Sequence, residues 1–123
     1  MNTTSIFVVA LVIACFMHGC CFTLETNRIL TGGPYYYTAF SKFHIPFRPT
    51  GRISLERART LERCGYGYFE AYYDDSGRIV LLRSLSKDRE ALWTDRYFYR
   101  PDSTPYKRVM EMDDGSVRIH FFD

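Results

Sequence analysis

The chain has 123 residues, of which 46% are hydrophobic and 24% charged, so it can form one globular domain and is not an intrinsically disordered chain. Its 16 basic residues nearly balance its 14 acidic ones, and the net charge of +2 gives no electrostatic case for a nucleic-acid partner, which usually requires a strongly basic patch or stripe. Aromatic residues make up 17% of the chain, and such residues favour strands over helices. We therefore predict a β-rich domain with no nucleic-acid partner.

The first 22 residues are uncharged, because they include no Lys, Arg, Asp or Glu. Their apolar run from Ile6 to Met17 has 12 residues, a length typical of a secretory signal and short for a transmembrane helix. Extended to Phe22, the run has 17 residues, the lower limit for a spanning helix. We predict an exported protein in which residues 1–22 are a signal peptide or membrane anchor and residues 23–34 form a tether.

Within these 22 residues, two stretches that each end in a cysteine resemble the bacterial lipoprotein cleavage box, in which small residues precede a lipid-modified Cys. The stretches are VIAC, ending at Cys15, and MHGC, ending at Cys20, and both thiols are candidate lipidation sites. Three outcomes stay open: a lipid-anchored membrane protein, a periplasmic or secreted protein freed by cleavage, and a protein retained by its uncleaved signal. A disulfide between Cys21 and Cys64 is a further open alternative.

The first half of the folded part is predicted to contain one strand, one loop and one helix. The aromatic segment 35–47 predicts a strand, and the segment 48–52 predicts a loop. Residues 54–65 have the apolar spacing of a helix, with Ser54 as a good N-cap and Gly65 as a left-handed stop.

The second half is predicted to be a series of antiparallel hairpins. Turn signals lie at 74–77, 86–89 and 113–115, and a longer turn lies at 100–105 between two prolines. The predicted fold class is therefore α+β, mainly antiparallel β. We expect a meander of about five to six strands, with one short helix after the first strand, in a single domain over residues 35–123.

The alternation of side chains predicts which strands are buried. Residues 79–85 are apolar on both faces, with Ile79, Leu81 and Leu85 on one face, so this strand should be central in the sheet. Residues 117–121 alternate apolar and polar side chains, which predicts a half-buried strand. A single short helix covers only part of one face, and we predict that the remaining open, aromatic face is a protein contact surface.

One hairpin carries an aromatic-aromatic-Asp-x-x-Gly-Arg pattern, formed by Tyr72, Tyr73, Asp74, Gly77 and Arg78. This pattern resembles the YD-type (Rhs-like) hairpin repeat of bacterial surface and toxin proteins. The layout over residues 35–123, with a K-x-x-x-P stretch closing an aromatic first strand, is also similar to that of a group of small uncharacterised bacterial exported proteins. That resemblance implies a fold and a bacterial origin, and no activity.

Candidate functional residues are few. Two histidines, His44 and His120, lie in the predicted domain without a motif that supplies a partner acid or nucleophile. Turn chemistry explains the paired aspartates at 74–75 and 113–114. The sequence thus predicts no catalytic residue, no metal site and no cofactor. The candidate binding residues are aromatic: Tyr35, Tyr36, Tyr37, Tyr72, Tyr97 and Tyr99.

Three classes of function remain open. The first is a non-catalytic protein-binding module of the cell envelope, similar in role to an inhibitor or immunity protein, that uses its open sheet face or an edge strand. The second is a structural component of the envelope. The third is a small hydrolase or nuclease that uses His44 or His120. We predict the first, with a membrane contact made through the N-terminal anchor.

Overall fold

A computed structural model describes residues 28–123 of the protein. The predictions for the signal segment, for the lipidation candidates Cys15 and Cys20 and for Cys21 lie outside these residues. Cys64 is exposed and forms no disulfide with another residue of the described range 28–123. Within residues 28–123, no helix is both long and apolar enough to cross a membrane.

The described residues form a seven-stranded antiparallel sheet and one helix, which confirms the predicted fold class. The order in the sheet is β2-β1-β3-β4-β5-β6-β7, a meander after the first hairpin. The elements are β1 (Gly32–Ser41), β2 (Arg48–Ile53), α1 (Leu55–Arg63), β3 (Tyr68–Tyr73), β4 (Ile79–Leu85), β5 (Ala91–Tyr99), β6 (Pro105–Met112) and β7 (Val117–Phe121).

The segment that the sequence assigned to one long strand and a loop is a hairpin. Strand β1 ends at Ser41, and residues 48–53 form the edge strand β2, which pairs with β1. Pro49 and Gly51 within β2 made a loop the natural prediction, but an edge strand tolerates a residue without an N–H. Residues 42–47 between the two strands are called the aromatic loop below.

Helix α1 forms where the sequence predicts it. The Ser54 hydroxyl accepts a hydrogen bond from the backbone N–H of Arg57 at 3.1 Å, which caps the first turn. Gly65 follows the helix with a φ of +86°, a conformation that favours glycine. The buried Ala58 packs against Tyr68 and Leu85, so the helix covers only the part of the sheet near β3 and β4.

The two faces of the sheet are covered by different parts of the chain. The helix face carries Tyr36, Tyr68 and Leu85 against α1. The loop face carries the larger core, into which the aromatic loop folds through Phe47. The buried residues of this core are Tyr37, Ala71, Ile79, Leu82 and Tyr97.

Strand β4 is central, as predicted, but the predicted division of its faces is wrong. The register shifts between Tyr72, which lies opposite Leu81, and Tyr73, which lies opposite Ile79. The extra residue, Val80, makes a bulge that moves Ile79 onto the loop face, whereas Leu81 stays on the other face.

Strand β7 is not half-buried, which corrects a second prediction. All five of its residues are exposed, from Val117 to Phe121. The reason is that α1 packs over β3 and β4 and leaves the helix face of β7 uncovered, so alternation alone did not report burial.

The predicted turn at residues 74–77 joins β3 to β4 in the middle of the sheet. One carboxylate oxygen of Asp74 accepts hydrogen bonds from the backbone N–H groups of Ser76 and Arg78, each at 2.9 Å. Gly77 has a φ of +79°. The turn is therefore held by its own side chain and by one left-handed glycine.

Replacing Gly77 with Val is expected to lower the free energy of unfolding by about 1–2 kcal/mol, because a β-branched residue is strained at positive φ. The added Cβ would also meet the Ile29 side chain at 2.1 Å, a contact that this exposed residue can relieve by moving. A thermal melt followed by circular dichroism should show a lower Tm. An unchanged Tm would contradict this description of the turn.

Candidate protein-contact site

The six candidate tyrosines do not form one surface. Tyr35, Tyr37, Tyr97 and Tyr99 contribute to the core of the loop face, whereas Tyr36 and Tyr72 lie on the helix face. Tyr37 and Tyr97 are only 5% and 2% exposed, so a partner protein cannot reach their rings. These two residues are corrected from contact residues to core residues. Their apolar rings pack inside because both face the aromatic loop side of the sheet.

The buried Tyr97 fixes the aromatic loop to the sheet. Its hydroxyl donates to a carboxylate oxygen of Asp95 at 3.1 Å and accepts from the backbone N–H of Phe47, also at 3.1 Å. Burial is the main cause that raises the pKa of Tyr97 well above its ordinary value. The hydroxyl therefore stays protonated and donates to Asp95 throughout the physiological pH range.

The end of the aromatic loop is also held by stacking and charge. The Phe47 ring stacks on Phe40, with a centroid distance of 5.5 Å. On Phe47 lies the guanidinium of Arg108, 4.3 Å from the ring centroid, which is a cation–π contact. The same guanidinium donates to the buried carboxylate of Asp95 at 2.8 and 3.1 Å. Residue 47 is thus fixed by a backbone hydrogen bond, a stacked ring and a cation.

The middle of the aromatic loop projects into solvent. Phe43 is 96% exposed and Ile45 is 42% exposed. The backbone N–H of Phe43 donates to the Ser41 hydroxyl at 3.3 Å, a local contact at the start of the loop. Phe43 thus has the highest exposed fraction of the large apolar residues in the range 28–123, and it lies on a loop whose other end is held at Phe47. Sequence reasoning missed it, since it assigned Phe43 and Ile45 to a strand.

Open clefts lie beside the aromatic loop. One, of about 430 Å³, is lined by residues that include His44, Arg48, Arg78, Tyr73 and Tyr99. Another, of about 470 Å³, lies toward β7 and is lined by Ile45, Arg108, Met110, Arg118, Ile119, His120 and Phe122. Each cleft combines apolar walls with arginines.

The charged residues that line these two clefts are basic, whereas a third cleft at Ile45 is also lined by Asp102 and Asp123. Arg78 is neutralised by Asp74 at 2.7 Å, and Arg108 by Asp95. Arg48 and Arg118 are exposed, and neither forms an ion pair with a residue in the described range 28–123. Guanidinium groups of this kind bind carboxylates through paired hydrogen bonds. The site can therefore present an apolar side chain, Phe43, to a partner while the guanidinium groups beside it bind acidic groups of that partner.

The two candidate histidines line different clefts. His44 lines the cleft on one side, and His120 lines the cleft toward β7, where its ring lies 4.6 Å from the ring of Phe122. In the part of the chain that the structure describes, no group of three His, Cys, Asp or Glu residues is placed to hold a metal ion.

Several tyrosines near the core resist ionisation. Burial is the largest cause that raises the pKa of both Tyr68 and Tyr99 to about 12, and burial also raises that of Tyr73 above its ordinary value. In the unfolded chain these groups ionise near pH 10, so the unfolded state releases protons first as the pH rises.

Below pH 10 both states keep these protons, so we expect these groups to give the free energy of unfolding no dependence on pH. As the pH rises from about 10 to about 12, the free energy of unfolding should fall. Urea unfolding at a series of pH values checks this expectation, with phenolate absorbance as a second readout. Equal stability at both ends of that range would contradict the burial of these hydroxyls.

No family model, no curated protein and no solved structure matches this chain. The similarity to YD-type hairpins accordingly stays a prediction, and the function has to be argued from the geometry.

Proposed function

We propose that the protein is an exported, membrane-anchored, non-catalytic module of the bacterial cell envelope that binds another protein, similar in role to an inhibitor or immunity protein. The observation that carries this proposal is the 96% exposure of Phe43 on a loop whose far end is fixed to the core. Binding would place the Phe43 ring in an apolar pocket of the partner.

Burial of an exposed Phe side chain contributes about 1.5–3 kcal/mol, which is a large share of the energy of a protein contact. The anchors at Phe47 limit the freedom of the aromatic loop before binding. A loop that is already ordered loses less conformational entropy when it binds. Exposure and anchoring together therefore favour recognition over a purely structural role.

The charge beside the loop indicates the chemistry of the partner. Lys42, Arg48 and Arg118 are exposed around the aromatic loop, and opposite charge on a partner would steer association and fix its orientation. We infer a partner with an apolar pocket bordered by carboxylates. A structural envelope component is the second candidate, and a hydrolase or nuclease that uses His44 or His120 is the third.

Capture from an extract of envelope proteins tests this proposal. The full chain should retain a discrete partner, and the Phe43→Ala variant should lose it. Tyr66→Ala is the matched control, because Tyr66 is an aromatic residue that is 64% exposed next to α1 and away from the loop. Equal capture by both variants would contradict the role of the loop. The His44→Ala, His120→Ala double variant separates binding from catalysis. If it still captures the partner but no longer provides the protein's function in cells, an enzyme would be favoured.

Export and anchoring are tested separately. A reporter fused after residue 40 should be exported, because the uncharged start at residues 1–22 has the length of a secretory signal. Changing the lipidated cysteine, Cys20 or Cys15, to Ser should release the protein from membranes. A cytosolic reporter would contradict export, and release by neither substitution would favour a spanning anchor over a lipid.

A further inference from the structure

The two edges of the sheet are built differently. Strand β2 carries Pro49 and Gly51, and both residues discourage pairing with another strand. Strand β7 at the opposite edge has the sequence VRIHF, with no Pro, Gly or Lys. One edge of the sheet is therefore blunted, whereas the other can accept a further strand.

The open edge also exposes apolar side chains. Val117, Ile119 and Phe121 are 55%, 58% and 66% exposed. They continue rows of the helix face, because Ile119 lies opposite Val109 and Phe121 lies opposite Lys107 across the β6–β7 pair. This face lies on the other side of the sheet from the aromatic loop.

The backbone hydrogen bonds show which groups of β7 point outward. The N–H of Met112 donates to the carbonyl of Ser116, and the N–H of Phe122 donates to the carbonyl of Tyr106, both at 2.9 Å. Bonded and non-bonded pairs alternate along an antiparallel ladder. The even-numbered residues of β7 therefore bond to β6. The N–H and C=O groups of residues 117, 119 and 121 point toward the open edge.

The residues with free edge groups are thus the same residues that expose apolar side chains. We propose that two copies of this chain pair through antiparallel β7 strands about a two-fold axis at Ile119, which joins two seven-stranded sheets into one. In this register Ile119 bonds to Ile119 of the second copy, and Val117 bonds to Phe121 of the second copy. The strand is complementary to itself in both hydrogen bonds and apolar contacts.

The central row of this dimer is aliphatic. On the helix face it runs from Val109 to Ile119 and continues through the same two residues of the second copy. Aliphatic residues directly opposite each other across strands are favourable pairs. A different protein could also add a strand here, but only a second copy supplies this symmetric row by construction.

The loop face of the same register gives a charge test. Arg118 lies directly opposite His120 of the second copy, and this pair occurs twice in the dimer. Changing His120 to Glu places a carboxylate against Arg118 and should raise the association constant of the dimer about two- to tenfold. Changing His120 to Lys places like charges together and should lower the constant by a similar factor.

Disulfide capture in the full chain tests the pairing, with Cys64→Ser in every variant to remove the exposed thiol. Two Cα atoms opposite each other at the two-fold axis lie about 5.5 Å apart, within reach of a disulfide. Ile119→Cys should therefore give a double-mass band that a reducing agent removes. Thr50→Cys, exposed on the blunted edge β2, is the matched control and should give no more of this band than the Cys64→Ser background.

Equal bands for Ile119→Cys and Thr50→Cys would overturn the dimer. So would identical effects of His120→Glu and His120→Lys on the fraction captured with Ile119→Cys. The dimer does not rest on the proposed function, because it is argued from the free backbone groups and apolar side chains of the edge strand β7 and not from Phe43 or the aromatic loop. Phe43→Ala should leave the double-mass band unchanged, so failure of either proposal is distinguishable from failure of the other.

Discussion

Replacing Arg108 with Met is expected to lower the free energy of unfolding by about 3–5 kcal/mol, because the substitution leaves a buried carboxylate without its cation. Asp95 is 0% exposed. One of its oxygens accepts from Arg108 and from the Tyr97 hydroxyl, and the other, Oδ1, has no hydrogen-bond partner within residues 28–123. Removal of Arg108 would leave the Tyr97 hydroxyl as the sole hydrogen-bond donor to the Asp95 carboxylate among the described residues.

Arg96→Met is the matched control for this substitution. Arg96 forms an ion pair with Glu111 at 3.7 Å, and both side chains are 48% exposed, so its loss should cost less than about 1 kcal/mol. Urea unfolding measures both values. Equal losses for the two variants would contradict the burial of the Asp95–Arg108 pair.

The same substitution should loosen the aromatic loop. Trp93 is the one tryptophan of the chain. Its ring centroid lies 5.3 Å from that of Phe40, which stacks on Phe47. Its fluorescence should shift to longer wavelength in Arg108→Met under conditions in which the variant is still folded, because the cation over Phe47 is gone. In Arg96→Met the emission should stay as it is.

Replacing Leu82 with Ala is expected to lower the free energy of unfolding by about 2–5 kcal/mol, through lost burial and the cavity that remains. Leu82 is 0% exposed in the central strand β4 and belongs to the core of the loop face. Rings packed around it from neighbouring strands cannot all move to fill the space.

Leu92→Ala makes the identical chemical change at a residue that is 42% exposed in β5. Its expected cost is less than about 1 kcal/mol, since most surface substitutions have small effects. Thermal or urea unfolding of the two variants checks this. A smaller loss for Leu82→Ala than for Leu92→Ala would contradict the placement of β4 at the centre of the core.

Local signals in the sequence were enough to predict the helix and the hairpin turns. Ser54 and Gly65 bound α1 through hydrogen bonds and backbone conformation that involve only their neighbours. The Asp74 carboxylate likewise bonds within its own turn, and Gly115 adopts a φ of +81° in another. A turn or helix end that is stabilised by contacts between residues close in sequence can therefore be predicted from that short segment alone.

The missed features depend on distant contacts. Strand β2 exists because it pairs with β1, although Pro49 and Gly51 disfavour a strand locally. The bulge at Val80 changes the face of Ile79, and no pattern within β4 marks it. Exposure of β7 depends on where α1 packs, which alternation within a strand cannot report.

The candidate site was the least predictable part for the same reason. Tyrosine content indicated binding, yet Tyr37 and Tyr97 are buried because the aromatic loop folds over them. The contact between the Tyr97 hydroxyl and the backbone of Phe47 spans 50 residues. Phe43 is a candidate because its side chain is exposed while Phe47, in the same loop, packs against the core, and the sequence pattern does not distinguish these two residues.

The most direct test of the aromatic loop as the contact surface is photo-crosslinking in cells that produce the full chain. A photoreactive phenylalanine analogue replaces Phe43 in one variant and Tyr66 in the matched control; the two residues are 96% and 64% exposed. We predict a covalent adduct with one discrete envelope protein from position 43 and none with that protein from position 66. No adduct from position 43, or the same adducts from both positions, would contradict the proposed binding function.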